Sequence, residues 1–373
     1  MANTLKFGNG EWYGKKDTIL AYNDENNNYK PLLFDFSRAS SATRVNKDGL
    51  IKTVGGGQAR IDFKDDSKGS LLLEPSRSNL ITYSENFSNS YWLKINNATV
   101  SAEKVISPDG TLNASQIIFD GTVDGRIEKD ISGLTQGADY TVSVYARVSS
   151  GTQVVNFGSV SDFEYTLTTE WQRLTSTQAE NDTVGYPRLK CNDASTIEIY
   201  GFQLEQGSYA TSYIPTQGSS VTRVADSCNQ TPPSDVIGQT EGTILVDVDF
   251  KTLSGTNMFV SIRPDASNKI EIYRSDAVIY AEFASNASFN FNKPSVTVGR
   301  YKIAVAYSSG SSAMYINGVF IGSNTTTFAF TSTLDDIYIN SRGTSFIEQS
   351  NYNDFKLYNT RLSNAELQAL TSN

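Results

Sequence analysis

The sequence predicts an all-β protein: two β-sandwich domains in tandem after an extended N-terminal segment, closed by a short C-terminal helical turn. Three observations predict it. Short runs alternate apolar and polar residues with a period of two, which puts one strand face on a core and the other toward solvent. Gly, Pro, Asn and Asp punctuate these runs, as antiparallel turns require. Aromatic residues make up 11% of the 373, with 20 Tyr and 19 Phe, while charged residues are only 19%. Tyr, Phe, Val and Ile fit a pleated, half-buried surface.

Residues 1–75 read as an extended segment for attachment or oligomerisation. A polar turn at Asn23–Asn28 precedes the apolar run Leu32–Phe36, and a second turn, Asn46-Lys47-Asp48-Gly49, leads into Leu50-Ile51. The runs are too short for a core of their own, so the segment must pack on another domain, another chain or an assembly. Residues 76–217 read as the first sandwich. Tyr140, Val142, Val144, Ala146 and Val148 share one face of a strand, and Trp171–Leu174 and Ile197–Tyr200 are further strands. The run Gly201–Thr216, GFQLEQGSYATSYIPT, closes this domain, turns at Gly207 and leaves along Tyr213-Ile214-Pro215. Tyr209 and Tyr213 are expected to pack the joint to the next domain. Residues 218–240 read as a linker, because Pro232-Pro233 cannot sit inside a central strand. Within it Ser219–Val224 echoes Ser40–Val45.

Residues 241–373 read as the second sandwich. Ile244, Val246, Val248 and Phe250 alternate with Asp247 and Asp249, and Tyr301–Tyr307 alternates in the same way. Asn317-Gly318 supplies the two positive φ angles of a type I′ hairpin. Ser363 and Glu366 form a capping box, with Leu362 stapled to Leu367, and start a helix that runs to about Leu370.

Composition narrows the function. A net charge of −9 opposes nucleic-acid binding, which needs a basic face. The absence of histidine removes the commonest general base and transition-metal ligand. Carboxylate chemistry and calcium-type oxygen ligation remain. Cys191 and Cys228 fit no zinc spacing and are expected as buried free thiols. No apolar run approaches the ~18 residues of a membrane span, and without an apolar stretch near residue 1 no export signal is expected.

Several runs resemble known families. Asn79–Phe87, Tyr91-Trp92, Trp171-Gln172-Arg173 and Gly201–Thr216 resemble a carbohydrate-binding-like jelly-roll module of bacteriophage fibre proteins. Phe36–Val45, Gly49–Ile51 and Leu71–Leu80 are similar to segments that accompany this module. Tyr301–Tyr307, Tyr315–Val319 and Phe355–Leu367 resemble a concanavalin A-like, laminin-G-type domain. The resemblance implies a non-enzymatic virion structural protein, a head fibre or tail-associated fibre, that mediates or displays adhesion to bacterial surface glycans. It implies a homotrimer, other virion proteins as partners through the N-terminal segment, and a place on the particle surface after synthesis in the host cytoplasm. No nucleic-acid partner and no membrane insertion are expected.

Candidate site residues are few. Trp92, next to Tyr91 in a Ser/Asn-rich loop, is the candidate for stacking on a sugar, although core packing is the commoner role; Trp171 reads as core. Asp335 and Asp336, with Asn317 or Asn340, are the oxygen set for calcium, weighed against a solvated loop. Asp247 and Asp249 are the carboxylate pair for glycoside hydrolysis, weighed against a polar strand face. A polysaccharide depolymerase using Asp or Glu, and a decoration protein without ligand, are the alternatives to adhesion. Gly55-Gly56-Gly57 lacks the Lys-Ser/Thr of a phosphate loop. No catalytic or cofactor-binding residue is assigned.

Overall fold

Strand alternation converts directly into sheets. The computed structural model describes residues 5–12, 14–23, 30–232 and 235–372. The turn read at 24–28 and Pro233 of the diproline lie outside them. The described chain is almost wholly β, with one helix, Asn364–Thr371. It groups into two units: a mid-chain unit of Ser41–Thr53 and Ser76–Arg223, and a terminal unit of Met1–Ser40, Val54–Pro75 and Val224–Asn373.

The mid-chain unit is a β-sandwich of two five-stranded antiparallel sheets. One runs in the order Leu93–Ile95, Gly125–Glu128, Arg188–Cys191, Gln153–Gly158, Asp162–Leu167. The other runs Thr99–Ile106, Leu112–Asp120, Ala194–Gln206, Asp139–Val148, Gln172–Ala179. Their inner faces share one core, in which Val142, Val144, Ile197 and Phe202 meet Ile127, Val155, Phe157 and Leu189. The face expected from alternation, Tyr140 through Val148, lies in that core.

Strand Ala194–Gln206 slips register against Asp139–Val148, pairing Ser143 with Gln203 but Tyr145 with Tyr200. Gly201 absorbs the slip at φ 66°, and a Cβ there would meet the Tyr213 ring at 3.2 Å. The bulge keeps Ile199 and Phe202 inward while Tyr200 points outward onto a small cluster with Ile51, Ala114 and Tyr213. After Gly207 the chain folds back over this outer face. Gln203 Oε1 accepts from Ile214 N at 2.7 Å, and Glu205 accepts from Thr211 N at 2.9 Å. Tyr213, expected at an inter-domain joint, therefore packs on the sheet of its own unit.

In the terminal unit, strand Glu241–Phe250 lies between Gly299–Ser308 and Ser350–Tyr358. Ser350–Tyr358 also pairs with Leu5–Gly8 and Ser70–Leu73. A second series runs from Phe289–Pro294 through Val278–Ala284, Lys269–Ser275, Thr256–Ile262 and Ile337–Ile339 to Ser227–Gln230, then to Lys30–Ser37. A single core of Phe34, Val246, Phe259, Ile272, Ile303 and Phe355 fills the space between them. The N-terminal residues thus contribute sheet strands to this unit, where an extended attachment segment was expected. The region read as a linker likewise holds paired strands, Val221–Arg223 against Arg77–Asn79 and Ser227–Gln230 against Lys30–Ser37.

Four charged side chains pin these strands together. Arg60 pairs with Glu74 and Asp226, and Asp226 also accepts from Arg38 at 2.9 Å; all four side chains are fully buried. The Asn317-Gly318 hairpin turn has both φ angles positive, 49° and 77°, and the Ser363–Glu366 capping box is formed in full. Leu362 and Leu367 share a cluster with Leu245 and Ala304.

Candidate functional site

Two polar clefts of the mid-chain unit share Glu85 and Pro215. One has a volume of about 450 Å³, the other about 250 Å³. Glu85 follows Asn79, whose side-chain amide ties this stretch to the sheet and to the returning segment: Asn79 Nδ2 donates to Ile214 O at 2.9 Å, and Asn79 Oδ1 accepts from Leu204 N at 3.1 Å. Glu85 Oε1 accepts from the Tyr213 hydroxyl at 2.9 Å and from the Tyr200 hydroxyl at 3.1 Å. The Tyr200 hydroxyl is also 3.1 Å from Asp109 Oδ2. With a single proton to give, it serves one carboxylate at a time.

The two carboxylates occupy opposite environments. Burial raises the pKa of Glu85, against the pull of the two phenols. Burial also pushes Asp109 upward, but donation from Thr111, Ser107 and Asn113 outweighs it and holds that carboxyl at about 2. Asp109 is fixed by its own turn: its Oδ1 accepts from Thr111 N at 2.7 Å and from Ser107 Oγ at 2.7 Å. The segment Ser41–Thr53 closes the smaller cleft. Ile51 N donates to Pro108 O at 2.9 Å, and Lys52 Nζ donates to Asp109 O at 2.7 Å. At the rim of the larger cleft, Glu103 takes φ 51° within an irregular stretch of its edge strand. Asn113, Ser115, Thr216 and Gln217 complete a lining rich in acceptors.

Such a site is built to accept hydrogen bonds from hydroxyl groups. Ionised carboxylates only accept, and amide and hydroxyl side chains add both donors and acceptors. Exposed Pro215 supplies an apolar surface beside them.

The residues singled out from the sequence fall elsewhere. Trp92, the sugar-stacking candidate, is only 2% exposed. Its ring packs on Phe87 and Phe202, and its indole N–H donates to Tyr83 O at 3.0 Å, so it fills the core and presents no face to a ligand. Trp171 is the reverse case. It is half-buried on the outer face, packed against the Tyr200 cluster, with the Arg147 guanidinium 4.7 Å above its ring. Of the oxygens offered for calcium, those of Asn317, Asn340 and Asp336 are used within the chain, whereas Asp335 Oδ1 is buried without a hydrogen-bond partner among the described residues. Asn317 Oδ1 accepts from Lys302 N at 2.8 Å, Asn340 Oδ1 from the Tyr352 hydroxyl at 3.3 Å, and Asp336 Oδ1 from Thr231 Oγ1 at 2.7 Å. Among the described residues no group of three or more carboxylate or thiol side chains is placed to hold a metal.

Asp247 and Asp249 are not a free carboxylate pair. Asp247 is 3% exposed and is clamped by Arg300 at 2.7 and 2.8 Å, and Asp249 pairs with Lys251 at 2.7 Å. Both cysteines are free and buried.

Sequence reasoning missed Glu85, Asp109 and Tyr200. Glu85 and Tyr213 sat inside the quoted runs, but what joins them is a bulge at Gly201 and a chain reversal at Gly207. Period-two alternation encodes neither.

No family model matches the chain, and no curated protein matches it in sequence. Among solved structures it is similar to the CBM40 domain of a Ruminococcus gnavus IT-sialidase bound to α2,3-sialyllactose. That match has 16% identity and a TM-score of 0.33, over 36% of this chain and 84% of that one. It is also similar to the binding domain of botulinum neurotoxin serotype G, at 13% identity and a TM-score of 0.33, over 39% of this chain and 40% of that one. A leech intramolecular trans-sialidase matches at 15% identity and a TM-score of 0.31, over 36% of this chain and 23% of that one.

Proposed function

We propose that this protein is a non-enzymatic component of a phage virion, a head fibre or tail-associated fibre, that binds bacterial surface glycans through the clefts meeting at Glu85. The observation that carries the glycan reading is the constellation of Glu85, Asp109 and the Tyr200 and Tyr213 hydroxyls, fixed by hydrogen bonds of 2.9–3.1 Å beside open, acceptor-lined space. A hydroxyl-rich ligand meets these acceptors with its donors, and ligand sites of this kind rely on a few fixed polar groups for orientation. Because, among the described lining residues, Glu85, Asp109 and Glu103 meet Lys52 as the one cation, neutral saccharides fit better than acidic ones here. The virion setting rests on the resemblance of Phe36–Val45, Asn79–Phe87 and Gly201–Thr216 to phage fibre segments. Placement on the particle surface, a homotrimeric state and attachment to other virion proteins belong to the same reading.

Glycan-array binding of the full chain, repeated with Glu85→Gln, tests it. Binding to neutral bacterial glycans that drops about tenfold or more in the variant is expected, corresponding to about 1.4 kcal/mol or more. An array with no signal for the wild type contradicts the adhesive reading.

A further inference from the structure

The terminal unit holds a separate polar cleft of about 460 Å³ on the outer face of the sheet built by Glu241–Phe250, Gly299–Ser308 and Ser350–Tyr358. Alternation sends Val246, Val248 and Ile303 to the core, so Asp247, Arg300, Lys302, Asp354 and Lys356 face outward. The cleft is lined by four cationic side chains, Lys68, Arg300, Lys302 and Lys356, against three carboxylates, Asp66, Asp247 and Asp354. In a chain of net charge −9 this local balance is reversed.

The pairing shows which charges are spent. Arg300 is held by both oxygens of Asp247 and by Asp66 at 2.9 Å, and Lys356 pairs with Asp354. Lys68 and Lys302 differ. Among the described residues the Lys68 ammonium donates to Asn9 Oδ1 at 2.9 Å and the Lys302 ammonium to Ser372 O at 2.8 Å, both neutral oxygens. Asp354 and Asp247 are also direct cross-strand partners. Like charges placed so cost stability, and burial, opposed by Lys356, already favours the protonated form of Asp354. An incoming anion finds two ammonium groups whose charge no carboxylate of this cleft neutralises.

The walls are set in advance. The Asp66–Gly69 turn is closed by Gly69 N to Asp66 O at 2.8 Å, and the Trp12 indole N–H holds Lys68 O at 2.9 Å. Asn9 N donates to Asn353 O at 2.6 Å, which fixes the amide that carries Lys68.

We infer that this cleft is a second binding site, which takes the oxyanion of an acidic saccharide at Lys68 and Lys302. Ser67, Asn9 and Asn353 supply partners for sugar hydroxyls, and Leu245 and Leu370 supply a small apolar wall. Sulfate, phosphate and carboxylate share the required chemistry. The site is distinct from the Glu85 clefts, whose acidic lining suits neutral sugars.

The test is titration calorimetry of the full chain with a heparin-derived hexasaccharide, a polygalacturonate hexasaccharide, maltohexaose and inorganic sulfate. Both acidic hexasaccharides are expected to bind, and to weaken with added salt as screening requires. Lys68→Gln is expected to weaken them about tenfold, and Lys68→Gln/Lys302→Gln to remove binding. Because Lys302 also holds the end of the helix, thermal melting of each variant accompanies the titration. Lys68→Gln alone, whose contact is with Asn9, separates lost binding from lost folding. Binding of inorganic sulfate with no gain from the saccharide shows an ion site only and overturns the saccharide assignment. No binding of either acidic hexasaccharide, or binding untouched by Lys68→Gln in a folded protein, overturns the site itself. Glu85→Gln is run in parallel. Loss of neutral-glycan binding there, with acidic binding retained, separates the two sites, so either can fail without the other.

Discussion

Asp226 is held by two arginines at once, Arg38 at 2.9 Å and Arg60, in a site with no solvent access to any of the side chains. Removing one partner of a buried ion network leaves the others charged and unpaired, which costs about 3–5 kcal/mol. Asp226→Ala is therefore expected to lower the unfolding free energy by about that amount in urea titration. An effect below about 1 kcal/mol would show that the network contributes little to folding. Asp109 makes a pH prediction. Its folded pKa, about 2, lies below the ordinary carboxylate value. The stability it contributes is thus present above about pH 4. That contribution is lost as pH falls from about 4 toward 2. In Asp109→Asn this part of the acid-induced loss is expected to disappear, as read from melting temperature against pH. Trp92 makes the third. Trp92→Ala empties a core position that touches Phe87 and Phe202, and is expected to cost about 3–5 kcal/mol. Trp92→Phe, which keeps the packing, is expected to leave glycan specificity unaltered.

At the scale of elements, local signals were legible and long-range pairings were not. The strand Tyr140–Val148, the Asn317-Gly318 turn and the Ser363–Glu366 cap each depend on residues within a few positions, and each formed as the pattern required. Ser363→Ala removes the cap and is expected to cost about 1 kcal/mol, measurable by chemical denaturation. The reading of 1–75 shows the opposite situation. Leu5–Gly8 and Ser70–Leu73 are four residues each, with too little apolar surface to announce a sheet. Their pairing partner, Ser350–Tyr358, is about 350 residues from the first and about 280 from the second in sequence. Asp247 and Asp249 carried the right alternation, yet nothing local shows that Arg300 reaches across to close on one of them. The candidate site was hidden for the same reason: Glu85, Asp109, Tyr200 and Tyr213 come from four separate stretches, joined by the Gly201 bulge and the reversal after Gly207.

At the scale of the whole molecule, two β-rich units carry clefts of opposite character, an acidic one at Glu85 and a cation-rich one at Lys68 and Lys302. A surface protein with both would grip neutral and acidic parts of one glycan coat. Multiplying such sites by symmetry raises avidity without new contacts, which is the physical use of the trimer proposed above. Light scattering of the full-length protein is expected to give three times the chain mass of 40.9 kDa, and a monodisperse monomer would remove the trimer from the account. The central claim is that the clefts at Glu85 bind glycan. Its most direct measurement is the affinity of the full chain for its best array glycan, compared with Glu85→Gln and Tyr200→Phe. The account predicts a loss of about tenfold or more in each variant, with both still folded. Unchanged affinity in both would place the glycan elsewhere and contradict it.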